Sequence, residues 1–211
     1  RLKGGYVYVQ TGAIWQPGFA PALVDGEQAR RALYVAGASD KTNVIELLEF
    51  ANGSAANGAN IYAQGGNAVL VGTPVHNGVA SGKGGGIYLA GIKFSLSIGS
   101  YSNLALPEMS GMLPVYSNEA PCGGGVYIES GYPVLSAVGL YANRAGADGG
   151  GVFIEGGSPT IISGVVRENK APNRGGGFYL SNSITRVGAM LIFGNTAGEG
   201  SGAATSAKIC A

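Results

Sequence analysis

Short runs in which aliphatic and aromatic residues alternate recur along this chain, each introduced by glycine. Ile87-Tyr88-Leu89 follows Gly84-Gly85-Gly86, Val126-Tyr127-Ile128 follows Gly123-Gly124-Gly125, Val152-Phe153-Ile154 follows Gly149-Gly150-Gly151, and Phe178-Tyr179-Leu180 follows Gly175-Gly176-Gly177. Alternation over so few residues predicts a strand, because successive side chains face opposite ways. Gly and Pro between the runs exclude helices of useful length. The last three triplets begin at 123, 149 and 175, a spacing of 26, and the step from 84 to 123 is 39, or 26 plus 13. A fixed period in this range indicates a repeat architecture, with each repeat one turn of a stack.

The register extends toward both ends. Gly58-Ala59-Asn60-Ile61-Tyr62-Ala63, Arg30-Arg31-Ala32-Leu33-Tyr34-Val35 and Gly4-Gly5-Tyr6-Val7-Tyr8-Val9 continue it backward, and Ser201-Gly202 marks its fading forward. Helical repeats need about 33 residues or more, and a leucine-rich repeat needs Leu at fixed offsets, where Leu here is sparse. The pattern therefore predicts an all-β fold, a single-stranded parallel β-helix of about eight windings of ~26 residues, spanning residues 1–211. At roughly 4.8 Å per winding, seven intervals make a rod about 34 Å long. The excess of 13 residues places an inserted loop around 97–112.

A second marker keeps phase with the first. Asn52, Asn77, Asn118, Asn143, Asn169 and Asn195 stand five to seven residues before their glycine positions. Identical stacked Asn can bond amide to amide, so Asn77, Asn118, Asn143, Asn169 and Asn195 are expected to form a structural ladder. Gly85, Gly124, Gly150 and Gly176 are expected to form tight corners, where a Cβ would prevent close approach of backbone layers.

Composition narrows the setting. Charged residues are 12% of the chain, about half the usual ~25%, and the net charge is +1. Nothing in that balance argues for nucleic acid or an anionic membrane surface. No apolar run approaches the ~18 residues of a membrane span, and no signal peptide is visible. The chain reads as a processed piece of a longer secreted protein. Its two cysteines, Cys122 and Cys210, lie three windings apart. That is about 14 Å along the axis, beyond the ~7 Å limit for a disulfide. Free thiols, or pairing of Cys210 outside this piece, are the expectation.

The aromatics between the aliphatic positions are the sharpest candidate site. Tyr8, Tyr34, Tyr62, Tyr88, Tyr127, Phe153 and Tyr179 fall in one outward column, a stripe able to stack on sugar rings, dock a protein partner, or simply tie windings together. The inserted loop adds Tyr101 and Met109 as contact candidates, with packing against the rod as the alternative. Glu129 and Glu155 share a column, where they are either solvated or a site for Ca²⁺. Asp148 and Arg174 are expected to form a surface pair of small worth, and His76 to be an incidental surface residue.

Catalysis is not expected. Glycoside hydrolysis needs paired carboxylates, whereas Asp25, Asp40 and Asp148 are scattered over separate windings. No metal-ligand spacing surrounds either cysteine, and neither a metal nor a cofactor is expected.

The glycine box Gly149-Gly150-Gly151-Val152 together with Val166-Arg167-Glu168-Asn169 resembles the repeats of chlamydial polymorphic outer-membrane proteins, which carry a Gly-Gly-Ala-Ile box and a Phe-x-x-Asn box. The resemblance covers residues 50 to 200 well. Here Val, Leu or Ile replaces Phe, and the third box position is Gly rather than Ala. It implies a right-handed parallel β-helix displayed outside the cell, often as an adhesin. The expected function is thus a non-enzymatic structural or adhesive segment at the cell surface, contacting other protein chains or surface glycans. Two alternatives stand beside it: a non-catalytic part of a polysaccharide-active β-helix enzyme, and a subunit of an extracellular fibre or surface layer assembling through unpaired solenoid ends.

Overall fold

The computed structural model describes residues 2–3, 7–11, 14–18, 22–36, 42–46, 48–91, 93–97 and 113–206, with side chains placed for 22–36, 43–45, 48–91 and 114–205. From Leu33 onward the strands of successive windings pair in parallel, giving a β-solenoid with no helix among the described residues. The strands that follow the glycine corners form a seven-stranded sheet, from Leu33–Ala36 through Ile61–Gln64, Ile87–Ala90, Val126–Ile128, Val152–Ile154 and Phe178–Ser181 to Ala203–Ser206. The strands that precede the corners form a six-stranded sheet running from Ser54–Ala55 to Thr196–Glu199. A twelve-stranded sheet closes the coil, and its two halves merge at the eight-residue strand Thr160–Arg167.

Seven strands stack with six turns between them, against the eight windings and seven intervals expected. The difference lies at the start of the chain. Val7–Thr11 pairs antiparallel with Ile14–Gly18 in a separate two-stranded sheet, with Tyr8 opposite Pro17, so Tyr8 does not join the aromatic column. Leu2–Lys3 likewise pairs antiparallel with Ala22–Asp25. A period-two pattern specifies a strand but not its partner, and a neighbour a few residues away costs little loop closure.

Each triplet glycine answers a different constraint, as the corner at 149–151 illustrates. Gly149 has φ +67°, in the left-handed region. A Cβ on Gly150 would fall 2.5 Å from the Gly176 carbonyl oxygen one winding on. On Gly151 it would fall 2.6 Å from the Gly177 oxygen and 3.2 Å from the Asn169 amide. The corner is therefore bare backbone packed on bare backbone, and Gly124 N–H donates to the Gly149 carbonyl across it at 3.1 Å.

Inside the coil, Ile61, Ile87, Val126, Val152 and Phe178 meet Leu70, Leu135, Ile161, Val75, Val115, Leu140 and Val166 in one continuous core. Burial of each such side chain contributes about 1.5–3 kcal/mol. Lys93–Ser97 pairs with Asn67–Val71, and Leu113–Tyr116 with Val75–His76, so the windings on either side of the insertion keep their register. Residues 98–112, with Tyr101 and Met109, lie outside the described residues.

Candidate functional site

The pairing register aligns Tyr34, Tyr62, Tyr88, Tyr127, Phe153 and Tyr179 in one column, ending on Ala204. Ring centroids are 5.3, 4.8, 5.6 and 4.8 Å apart from Tyr34 to Phe153, with planes within 14° of parallel, and Tyr179 tilts 54° from Phe153. The column exists, but it is not an exposed stripe. Tyr88, Tyr127, Phe153 and Tyr179 are buried, with Tyr127 at 0% exposure, whereas Tyr34 is 58% exposed and Tyr62 half-buried. The cause is the bare corner. It lets the chain entering each winding lie back over the outward face of the chain leaving it, so that Cys122 and Ala147 pack on the rings.

The polar tips of the rings are tied to charges on later windings. Tyr127 Oη donates to Glu155, and Tyr88 bonds Glu129. Burial, reinforced by those carboxylates, raises both phenols well above their ordinary range. Lys83 Nζ lies 3.3 Å from Glu155 and 4.8 Å from the Tyr127 ring centroid. Glu129 and Glu155 are thus not simply solvated. Each accepts from a tyrosine of the preceding winding, and no cluster of three metal-ligating side chains occurs among the described residues. At the open end, Arg31 is anchored by the Gly58 and Asn57 carbonyls at 3.0 and 2.8 Å and stands over Tyr34 and Tyr62 at 5.7 and 4.9 Å.

Residues immediately before the triplets carry chemistry that the triplet pattern alone did not flag. Lys83, Cys122, Asp148 and Arg174 share one column. Arg174 donates to both Asp148 oxygens, at 3.0 and 2.8 Å, and caps the Tyr179 ring at 4.4 Å. The Asp148 side chain is 4% exposed, so this is a bidentate, largely buried pair rather than a surface one. Cys122 is disulfide-bonded, against the expectation of a free thiol. Cys210 is the second of the two cysteines in the sequence and lies outside the described residues.

The amide ladder forms, with one substitution of member. Asn118, Asn143, Asn169 and Asn195 are buried, and each Nδ2 of the first three donates to the next Oδ1 at 2.9–3.0 Å. Each Nδ2 also donates to a carbonyl of the previous winding, as Asn143 does to Val115 at 2.9 Å. Asn77 is not a member. It sits one position earlier, exposed, at φ +54°, alongside Asn52 at +56° in a left-handed corner. The ladder position there is Gly78, and the missing amide comes from Asn60, whose Nδ2 donates to Asn118 Oδ1 at 3.1 Å and whose Oδ1 accepts from Gly53 N–H at 2.8 Å. The available signal was paired: glycine at 53 and 78 where the ladder has Asn, and Asn at 60 where the triplets have glycine.

His76 is not incidental either. Its Nε2 is 2.5 Å from Glu49 Oε1, and its ring stacks on Tyr116 at 4.6 Å, which stacks on Tyr141 at 4.9 Å. Arg167 closes this second stack, 4.9 Å over Tyr141. Burial, and then Glu49, raise the Tyr116 phenol.

Chemically, the site is a set of ties between windings, and the aromatic column itself reaches the surface at Tyr34 and, in part, Tyr62. No family model, curated protein or solved structure matches this chain, so its functional reading stands on this geometry.

Proposed function

We propose that this chain is a non-catalytic structural and adhesive solenoid segment of a secreted or cell-surface protein, contacting other protein chains or surface glycans. The observation behind it is the direction in which its chemistry is committed: Tyr88, Tyr127, Asp148, Arg174, Glu129 and Glu155 engage one another between windings. The likeness of its glycine and Asn boxes to chlamydial polymorphic outer-membrane repeats agrees with display outside the cell. Contact falls to the open end of the aromatic column, where Tyr34, Tyr62 and the fixed Arg31 form an aromatic and cationic surface. The inserted segment with Tyr101 and Met109, outside the described residues, is the second contact candidate. The test is retention on immobilised glycans and extracellular-matrix proteins. Tyr34→Ser should lose retention while Tm falls by no more than about 2–4 °C. Release of reducing ends from any polysaccharide by the purified chain overturns the non-catalytic reading.

A second reading, the fibre or surface-layer subunit, is favoured by the last long strand. Arg186–Phe193 exposes Val187, Leu191, Ile192 and Phe193 on a strand paired on one side only among the described residues. Long apolar edges of this kind template assembly. A sedimentation coefficient independent of concentration across the micromolar range counts decisively against it.

A further inference from the structure

Most described cations have a committed partner. Arg30 meets Glu27, Arg31 two carbonyls, Lys83 Glu155, Arg167 Glu168, and Arg174 Asp148. Arg144 and Lys170 make no ion pair among the described residues, and both side chains are exposed. The register places them directly opposite each other on adjacent strands of the six-stranded sheet, between Glu119 and Thr196. Like charges facing across a strand pair are destabilising unless something shared relieves them.

These two residues flank an open cleft of about 410 Å³, lined also by Ala142, Asn143, Glu168 and Gly194. One wall is the ridge of left-handed corners at Ala142, Glu168 and Gly194, with φ of +53°, +58° and +64°. The backbone amides of Arg144 and Lys170 are already used, donating to the Asn118 and Asn143 carbonyls at 2.9 Å. Any charge recognition there therefore belongs to the two side chains. Glu168 is the one acid on the lining, and its carboxylate is held by Arg167 Nη1 at 2.6 Å.

We propose that this cleft binds an acidic polysaccharide, with one carboxylate or sulfate group bridged by Arg144 and Lys170 and its sugar ring seated against Ala142 and Gly194. The volume suits a sugar unit or two, within the ~300–1,000 Å³ of small-ligand sites. Two cations on a chain of net charge +1 suit a single anionic group better than the many phosphate contacts of a nucleic acid. The proposal rests on the adhesive reading for its setting, and it assigns the ligand class and the residues.

The experiment measures retention of the intact chain on immobilised polygalacturonate, dextran sulfate and neutral dextran, with duplex DNA and polyglutamate as further surfaces. Wild type should bind at least one acidic glycan, with retention falling as salt rises, and should ignore dextran. Arg144→Ser and Lys170→Ser should each weaken binding about tenfold, and the pair should abolish it. Arg186→Ser, an exposed cation on a different sheet, should leave it unchanged. Because both side chains are exposed, Tm should hold in every variant. Equal retention by the double variant, or stronger binding to DNA or polyglutamate than to either glycan, overturns the proposal. Absence of wild-type binding to both acidic glycans also overturns it, and leaves the structural and adhesive reading to its own test through Tyr34.

Discussion

Tyr34 and Tyr127 occupy equivalent positions of the same column, stacked at comparable distances, yet one ring is 58% exposed and the other 0%. The residues themselves do not differ. Their corners do. Tyr127 follows a full glycine triplet, and its ring lies in one buried cluster with Cys122, Tyr88 and Phe153. Tyr34 follows Arg30-Arg31-Ala32, and a charged Arg31 standing over the ring takes the place of packed small residues. The outward rings of this column are thus covered beside the glycine corners and open on its end strand, where Arg30-Arg31-Ala32 replaces the triplet.

That contrast can be broken most severely at its closed end. Phe153→Ala should cost about 3–5 kcal/mol in urea unfolding, against less than about 1 kcal/mol for Tyr34→Ala. A small loss at Phe153 would mean that the cover over the column is loose. Next, Asp148→Ala should cost about 2–3 kcal/mol, below the ~3–5 kcal/mol of a fully buried pair because the Arg174 side chain is 23% exposed. Arg174→Ala should match it, and the double variant should cost little more than either alone if the two act as a pair.

A smaller effect separates the two ends by pH. The Tyr88 and Tyr127 phenols are raised in the folded state, so the native chain holds their protons more tightly than the unfolded chain does. Their contribution is complete below pH ~10 and is lost as pH rises beyond it. The urea midpoint should fall between pH 8 and pH 11, and Tyr88→Phe with Tyr127→Phe should flatten that fall. Smallest of all, Tyr34→Ser should change stability by no more than about 0.5–1 kcal/mol while altering contact at the open end.

The period, the strand positions, the aromatic column and most of the amide ladder were legible in the residues, because each is a statement about which positions stack. Coverage was not. Whether Tyr127 is outward and exposed or outward and buried depends on how closely a strand several residues earlier returns over it, and no spacing encodes that distance. Asn60 was hidden for a related reason: its amide acts in the neighbouring column, so its own column shows only a broken glycine triplet. Tyr8 misled in the opposite direction, since its alternation fits a hairpin as well as a winding.

Two ties described above reach past the adjacent winding to the one beyond it: Asn60 to Asn118, and Lys83 to Glu155. A stack held only by neighbour-to-neighbour contacts frays one layer at a time from its ends. A link that skips a layer removes that option, because the intervening turn cannot open without breaking a bond it does not itself make. The windings between Asn60 and Glu155 are therefore expected to open as a single cooperative block. In hydrogen exchange, amides throughout that block should open together at one free energy, while those of Arg186–Phe193 and Thr196–Glu199 exchange earlier.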